Sequence, residues 1–82
     1  MNYLELIHKI KEGKTVYIFD DYADAAVKCR YDDSEQRTRT WIKRRWQPEH
    51  EVNHAESNAF DIEIGGDEIS KDEYDNLFSK ND

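Results

Sequence analysis

Residues 25–46 read AAVKCRYDDSEQRTRTWIKRRW, and how they fold decides the architecture. In the first half, Ala25, Val27, Cys29 and Tyr31 alternate with Ala26, Lys28 and Arg30. A period of two puts one set of side chains on each face of a strand, so this half predicts a half-buried β-strand. Asp32–Gln36 (DDSEQ) is short and polar and predicts a turn. In the second half, Thr38, Thr40, Ile42 and Trp46 fall on one face, and Arg39, Trp41, Lys43 and Arg45 on the other. The expectation is a hairpin whose outward face carries Lys and Arg.

Working towards the N-terminus, Thr15–Phe19 (TVYIF) is β-branched and aromatic and predicts a strand, broken by Asp20-Asp21. Tyr22–Ala26 has room for one helical turn before the next strand. Residues 2–12 predict a helix. Asn2 can cap it, Glu5 is placed to complete a capping box, and Tyr3, Ile7 and Ile10 recur on one face with Leu6 beside them. Gly13 stops it. Towards the C-terminus, Pro48 is expected to end the hairpin, and residues 49–58 (EHEVNHAESN) to form a polar connection with at most one helical turn. Phe60, Ile62 and Ile64 alternate with Asp61 and Glu63 and predict a fourth strand, turned by Gly65-Gly66. Ser70 and Glu73 form a capping box for a last helix, with Ile69 and Tyr74 as its hydrophobic staple and Tyr74, Leu77 and Phe78 facing the core. Residues 79–82 are expected to fray. The expected fold is α+β, in the order α-β-β-β-β-α: a four-stranded antiparallel sheet with an N-terminal and a C-terminal helix covering one face.

Eighty-two residues make one domain, spanning 1–82, with a small core. The charge is divided. Residues 1–48 hold ten Lys/Arg against eight Asp/Glu, and residues 49–82 hold two against eleven. Arg37–Trp46 alone carries five cations and two tryptophans. One cationic, aromatic surface and one anionic surface are therefore expected as contact faces. The acidic pI, near 4.9, argues against non-specific nucleic-acid binding by the whole domain while leaving room for a local basic site. Cys29 is the lone cysteine and cannot form an internal disulfide. The first helix, with Glu5, His8, Lys9 and Lys11, reads as neither a signal segment nor a membrane span. Both point to a reducing, cytoplasmic setting without membrane contact.

Three motifs could carry chemistry. His50-Glu51-Val52-Asn53-His54 matches H-E-x-x-H, which on a helix puts two imidazoles on one face for zinc. Its flanks are polar, and the longer form fails at Ser57 and Phe60, so the expected reading is a solvated loop, with a metal site at His50 and His54 as the remote alternative. The Arg37–Trp46 cluster suits either phosphate and base stacking or a protein hot spot, set against packing and pairing within the chain. Glu63, Asp67, Glu68, Asp72 and Asp75, with Asp61 and Glu73, could imitate the charge spacing of a nucleic-acid backbone; Asp72, Glu73 and Asp75 also suit the positive end of the last helix. Cys29 reads as a small buried residue rather than a nucleophile. No catalytic signature or cofactor motif emerges.

In size, acidity, single cysteine and compact αβ reading, the chain resembles the small proteins that bacteriophages and mobile elements encode to block host defences, the anti-CRISPR inhibitors among them. That resemblance of type implies a stoichiometric, non-enzymatic inhibitor that occludes the nucleic-acid site of a host protein or nucleoprotein complex. The Arg37–Trp46 cluster departs from a purely acidic DNA mimic and allows a mixed interface, or contact with nucleic acid in the target. The expected contact residues are Trp41, Lys43, Arg44 and Arg45 on one side, and Glu63, Asp67, Glu68, Asp72 and Asp75 on the other. The alternative is a small nucleic-acid-binding or regulatory protein that uses the basic hairpin alone. Monomer and homodimer both remain open, since an exposed edge strand near Arg37–Trp46 could pair with a second copy.

Overall fold

Asn2 opens helix α1 (Tyr3–Lys11) by accepting from the amides of Leu4 and Glu5, 2.8 and 3.4 Å away. Glu5 makes no return bond among the described residues, so the box expected here is only half formed. The structure is a computed structural model and describes residues 1–78; the fraying expected at 79–82 lies outside the described residues. Gly13, at φ 84°, ends the helix in the left-handed region that glycine adopts without strain.

Strand β1 (Val16–Asp20) is turned by its own last residue. The Asp20 carboxylate accepts from the amides of Tyr22 and Ala23, an Asx-type turn where a helical turn had room to form. Strand β2 (Ala25–Asp32) ends the same way, with Asp32 accepting from the amides of Ser34 and Glu35. Strand β3 (Arg37–Arg44) then pairs back on β2 from Asp32↔Arg37 to Ala25↔Arg44, the hairpin that the alternation predicts.

The remaining chain departs from expectation. Pro48 does not end the hairpin; it lies inside β4 (Gln47–Val52), which pairs with β3 across a register shift between Ile42 and Arg44. β4 is a sheet edge, where a residue without an N–H can sit without losing a ladder bond. A 3-10 turn (His54–Glu56) follows. Residues 59–65 form helix α2 (Ala59–Gly65), not a fourth strand. Its inward positions are Ala59, Ile62 and Glu63, at helical spacing, while Phe60 and Ile64 stay 45% and 43% exposed. Strand β5 (Asp67–Ile69) joins the far side of β1, and helix α3 (Lys71–Asn76) carries the complete Ser70–Glu73 capping box. The four strands and two helices expected are thus corrected, among the described residues, to a five-stranded antiparallel sheet, ordered β4-β3-β2-β1-β5, with three α-helices.

The helices do not share a face. Val16, Ile18, Val27, Cys29 and Ile42 point inward and are covered by Leu6 and Ile10 of α1 and by Ala59 and Ile62 of α2. Tyr17 points the other way, and Tyr74 of α3 packs on it with ring centroids 5.0 Å apart. The last helix therefore covers part of the outer face, because its one fully buried residue, Tyr74, pairs with the outward-facing set of β1. Leu77 and Phe78 are only half-buried.

Candidate functional site

The outer face continues past Tyr74 to Trp41, central in β3. Three cations lie over its indole: Lys28 at 4.6 Å, Arg39 at 5.1 Å and Arg30 at 5.3 Å from the ring centroid. They meet there because Lys28 is the cross-strand partner of Trp41, while Arg30 and Arg39 pair one step along the same face. Most of this charge is already neutralised. Arg39 grips Glu51 through two bonds of 2.9 and 2.7 Å and also reaches Asp32 at 3.1 Å. The grip holds Glu51 below the usual carboxylate range. Asp32 is lowered to about 2, first by the Ser34 hydroxyl and then by Arg39. Lys28 pairs with Glu49 at 3.2 Å, and Arg37 with Glu35 at 2.8 Å. Tyr74 donates its hydroxyl to the same Glu49; burial, then that bond, push its pKa up.

The other sequence-predicted cations gather at the β3–β4 turn. Lys43, Arg44 and Arg45 line a groove with Trp46, Pro48, Leu77 and Phe78. Trp46, expected on the inner side with Ile42, is 69% exposed. The turn at Arg45-Trp46 breaks the alternation that would have carried it inward. Among the described residues, two of the three cations here lack the ion pairs that Lys28 and Arg39 make beside Trp41. Arg45 is paired with Asp24 at 2.9 Å. Lys43 instead donates to the Tyr74 carbonyl at 2.6 Å, and Arg44 to the Asn58 side-chain oxygen at 2.9 Å. Both acceptors are neutral, so Lys43 and Arg44 keep their charge without an ion pair among the described residues.

The predicted acidic residues do not assemble on one surface. Glu68 turns toward α1 and binds Lys9 at 2.5 Å. Asp67, its neighbour in β5, is exposed on the other side of that strand. Asp72 stands exposed in the first turn of α3, and Asp75 pairs with Lys71 at 2.7 Å. Glu63 is not a surface residue. It is 1% exposed, and its carboxylate lies between the Cys29 thiol, 3.0 Å away, and His54 Nε2, 2.9 Å away.

This Cys29–Glu63–His54 cluster was not legible in the sequence, because Glu63 was read as facing outward on a strand. Its order matters chemically. The carboxylate separates thiol from imidazole, so His54 is not placed to take the thiol proton. Burial, reinforced by the charge of Glu63, raises the Cys29 pKa far above its ordinary value and keeps sulfur protonated. The H-E-x-x-H segment is likewise corrected. His50 and Glu51 lie in β4, and His54 lies in the 3-10 turn, so the helical spacing that would aim both imidazoles at one ion is absent. His50 contacts the Pro48 carbonyl, Glu51 accepts from Arg39, and His54 bonds Glu63. Among the described residues, no group of three or more His, Cys, Asp or Glu is arranged to hold a metal.

No protein-family model matches the chain, and neither a curated protein nor a solved structure matches it significantly.

Proposed function

We propose that the chain is a small protein-binding module of the inhibitor type, and that the groove at the β3–β4 turn is its contact site. One observation carries the reading: Trp46 stands 69% exposed beside Lys43 and Arg44, whose charges are unpaired among the described residues. An exposed indole flanked by cations is the usual make-up of an interface hot spot, and the free charge selects an acidic partner surface. The nucleic-acid alternative has less support. Arg37, Arg39, Arg45 and Lys28 are neutralised within the chain, which leaves few cations to displace phosphate counterions. The acidic residues favour neither a single mimetic face nor a common partner, since they are divided between the two sides of β5 and the exposed surface of α3. No chemical step is assigned to the protein.

The test is capture of partners by the tagged chain, with and without nuclease, beside a Lys43→Glu/Arg44→Glu variant. A stoichiometric protein retained after nuclease and lost with the double variant supports the reading. Capture that vanishes with nuclease moves the function to nucleic acid, and a partner retained by the double variant removes the groove from the interface.

A further inference from the structure

A cavity of about 150 Å³ opens on the inner side of the sheet, on the face opposite Trp41. Leu6, Ile7 and Ile10 of α1 form one wall. Thr40, Cys29 and Glu63 form the floor, each no more than 1% exposed. Tyr3 and His54, both partly exposed, stand at the mouth, and Phe60 packs edge-on against each.

The floor holds an unsatisfied polar atom. Thr40 Oγ1 is buried and, apart from the weakly accepting Cys29 sulfur, has no hydrogen-bond partner among the described residues. It lies beside Cys29, its cross-strand partner, and its hydroxyl slightly restrains the rise of the thiol pKa. Sulfur is a weak acceptor, and the thiol proton is committed to Glu63. A buried hydroxyl without an oxygen or nitrogen partner costs free energy, so a position that keeps one while lining a cavity points to a guest. Water alone fits poorly. The volume is about five times the share of one liquid water, and the apolar wall gives several waters too few partners. An apolar cavity of this volume accommodates a benzene-sized molecule, and here Thr40 and Glu63 add a polar floor.

We propose that this cavity binds a small neutral molecule with an apolar, ring-sized body and one hydroxyl head, of the phenol class. The ring lies against Leu6, Ile7 and Ile10. The head accepts from Thr40 Oγ1 and donates to Glu63, whose oxygens each retain a second acceptor site beyond the bonds to Cys29 and His54. An anion is disfavoured by the buried carboxylate.

Titration of the ¹⁵N-labelled full chain with phenol, toluene, benzylamine and benzoate tests the site. Phenol is expected to shift the amides of Leu6, Cys29 and Thr40 saturably, and to bind at least tenfold tighter than toluene. Thr40→Val, which keeps shape and strand preference, should reduce that preference several-fold while retaining toluene binding, the bond to Glu63 supplying what remains. Ile7→Phe, which narrows the cavity from its rim, should remove both ligands. The proposal is overturned if phenol shifts do not saturate or fall elsewhere, if Thr40→Val leaves the preference intact, or if benzylamine or benzoate binds tighter than phenol.

Discussion

Glu63 Oε2 accepts the Cys29 thiol proton at 3.0 Å in a part of the core where both residues are 1% exposed. A helix and a strand distant in sequence thus share one buried polar bond, and His54 supplies the carboxylate with its second partner. Removing the carboxylate orphans both neighbours and leaves a void. Glu63→Ala should therefore destabilise the fold by about 2–4 kcal/mol. Glu63→Gln retains an acceptor and most of the volume and should cost less than half as much. Urea unfolding of both variants measures this, and an alanine variant within about 1 kcal/mol of wild type would show that the bond is structurally idle. Alkylation of Cys29 in the native protein should also be slow and should accelerate in Glu63→Ala, since the buried thiol reacts only after local opening.

The turn between β2 and β3 predicts an acid-sensitive contribution. Asp32 accepts from Ser34 and from Arg39, and its pKa falls from 3.8 to about 2. A carboxylate whose folded value lies below its unfolded one adds stability above the unfolded value and loses it as pH falls through the folded value. Asp32 should thus stabilise the chain above about pH 4, and that contribution should fade between about pH 4 and pH 2. Asp32→Asn keeps an oxygen for the turn amides and removes the charge. The difference in urea midpoint between wild type and Asp32→Asn should shrink across that window; a difference constant from about pH 5 to about pH 2 would remove the ionic explanation.

Gly66 and Gly13 should respond to alanine for opposite reasons. A Cβ on Gly66 would meet the Phe19 carbonyl at 2.7 Å, the Ile62 carbonyl at 2.8 Å and Ile18 Cγ2 at 2.9 Å. These are backbone and core atoms that cannot swing away, so Gly66→Ala should cost about 1–3 kcal/mol or more by overpacking where α2 meets β5. At Gly13 nothing lies within 4 Å, but φ is 84°. Gly13→Ala should cost only the left-handed strain, about 1–2 kcal/mol. Thermal melts of the two variants, with Gly13→Asn as a partial rescue, separate steric from torsional cost.

Local signals in the sequence read correctly and long-range ones did not. Asn2, the Ser70–Glu73 box and the alternation through β2 and β3 act within a few residues of themselves, and each element formed where those residues stand. Helix α2 was misread because one of its three inward positions is the carboxylate Glu63. With an acid inside and Phe60 and Ile64 outside, the binary pattern took on a strand's period. Strand β4 was missed because Gln47–Glu51 are all exposed. Ladder bonds to β3 and ion pairs from Lys28 and Arg39 hold it, and neither leaves a hydropathy trace. The cationic cluster was legible as composition. Which of its members stay uncompensated was not, because Glu51 and Asp24 reach it only through the folded sheet.

The two tryptophans should separate binding from stability. Trp41 is half-buried beneath Lys28, Arg30 and Arg39, and its loss uncovers the middle of the outer face. Trp41→Ala should lower stability by about 1–2 kcal/mol, the share expected for a partly buried side chain. Trp46 is 69% exposed and contributes little to the core, so Trp46→Ala should leave the urea midpoint nearly unchanged. Binding should show the reverse order. Loss of a hot-spot indole costs about 2 kcal/mol or more, roughly thirty-fold in Kd, and that loss should fall on Trp46→Ala. Trp41→Ala should retain affinity at temperatures where it remains folded. Once a partner is in hand, calorimetric titration of both variants decides the matter: equal losses would place the interface across the whole outer face, and a loss confined to Trp41 would move it away from the groove.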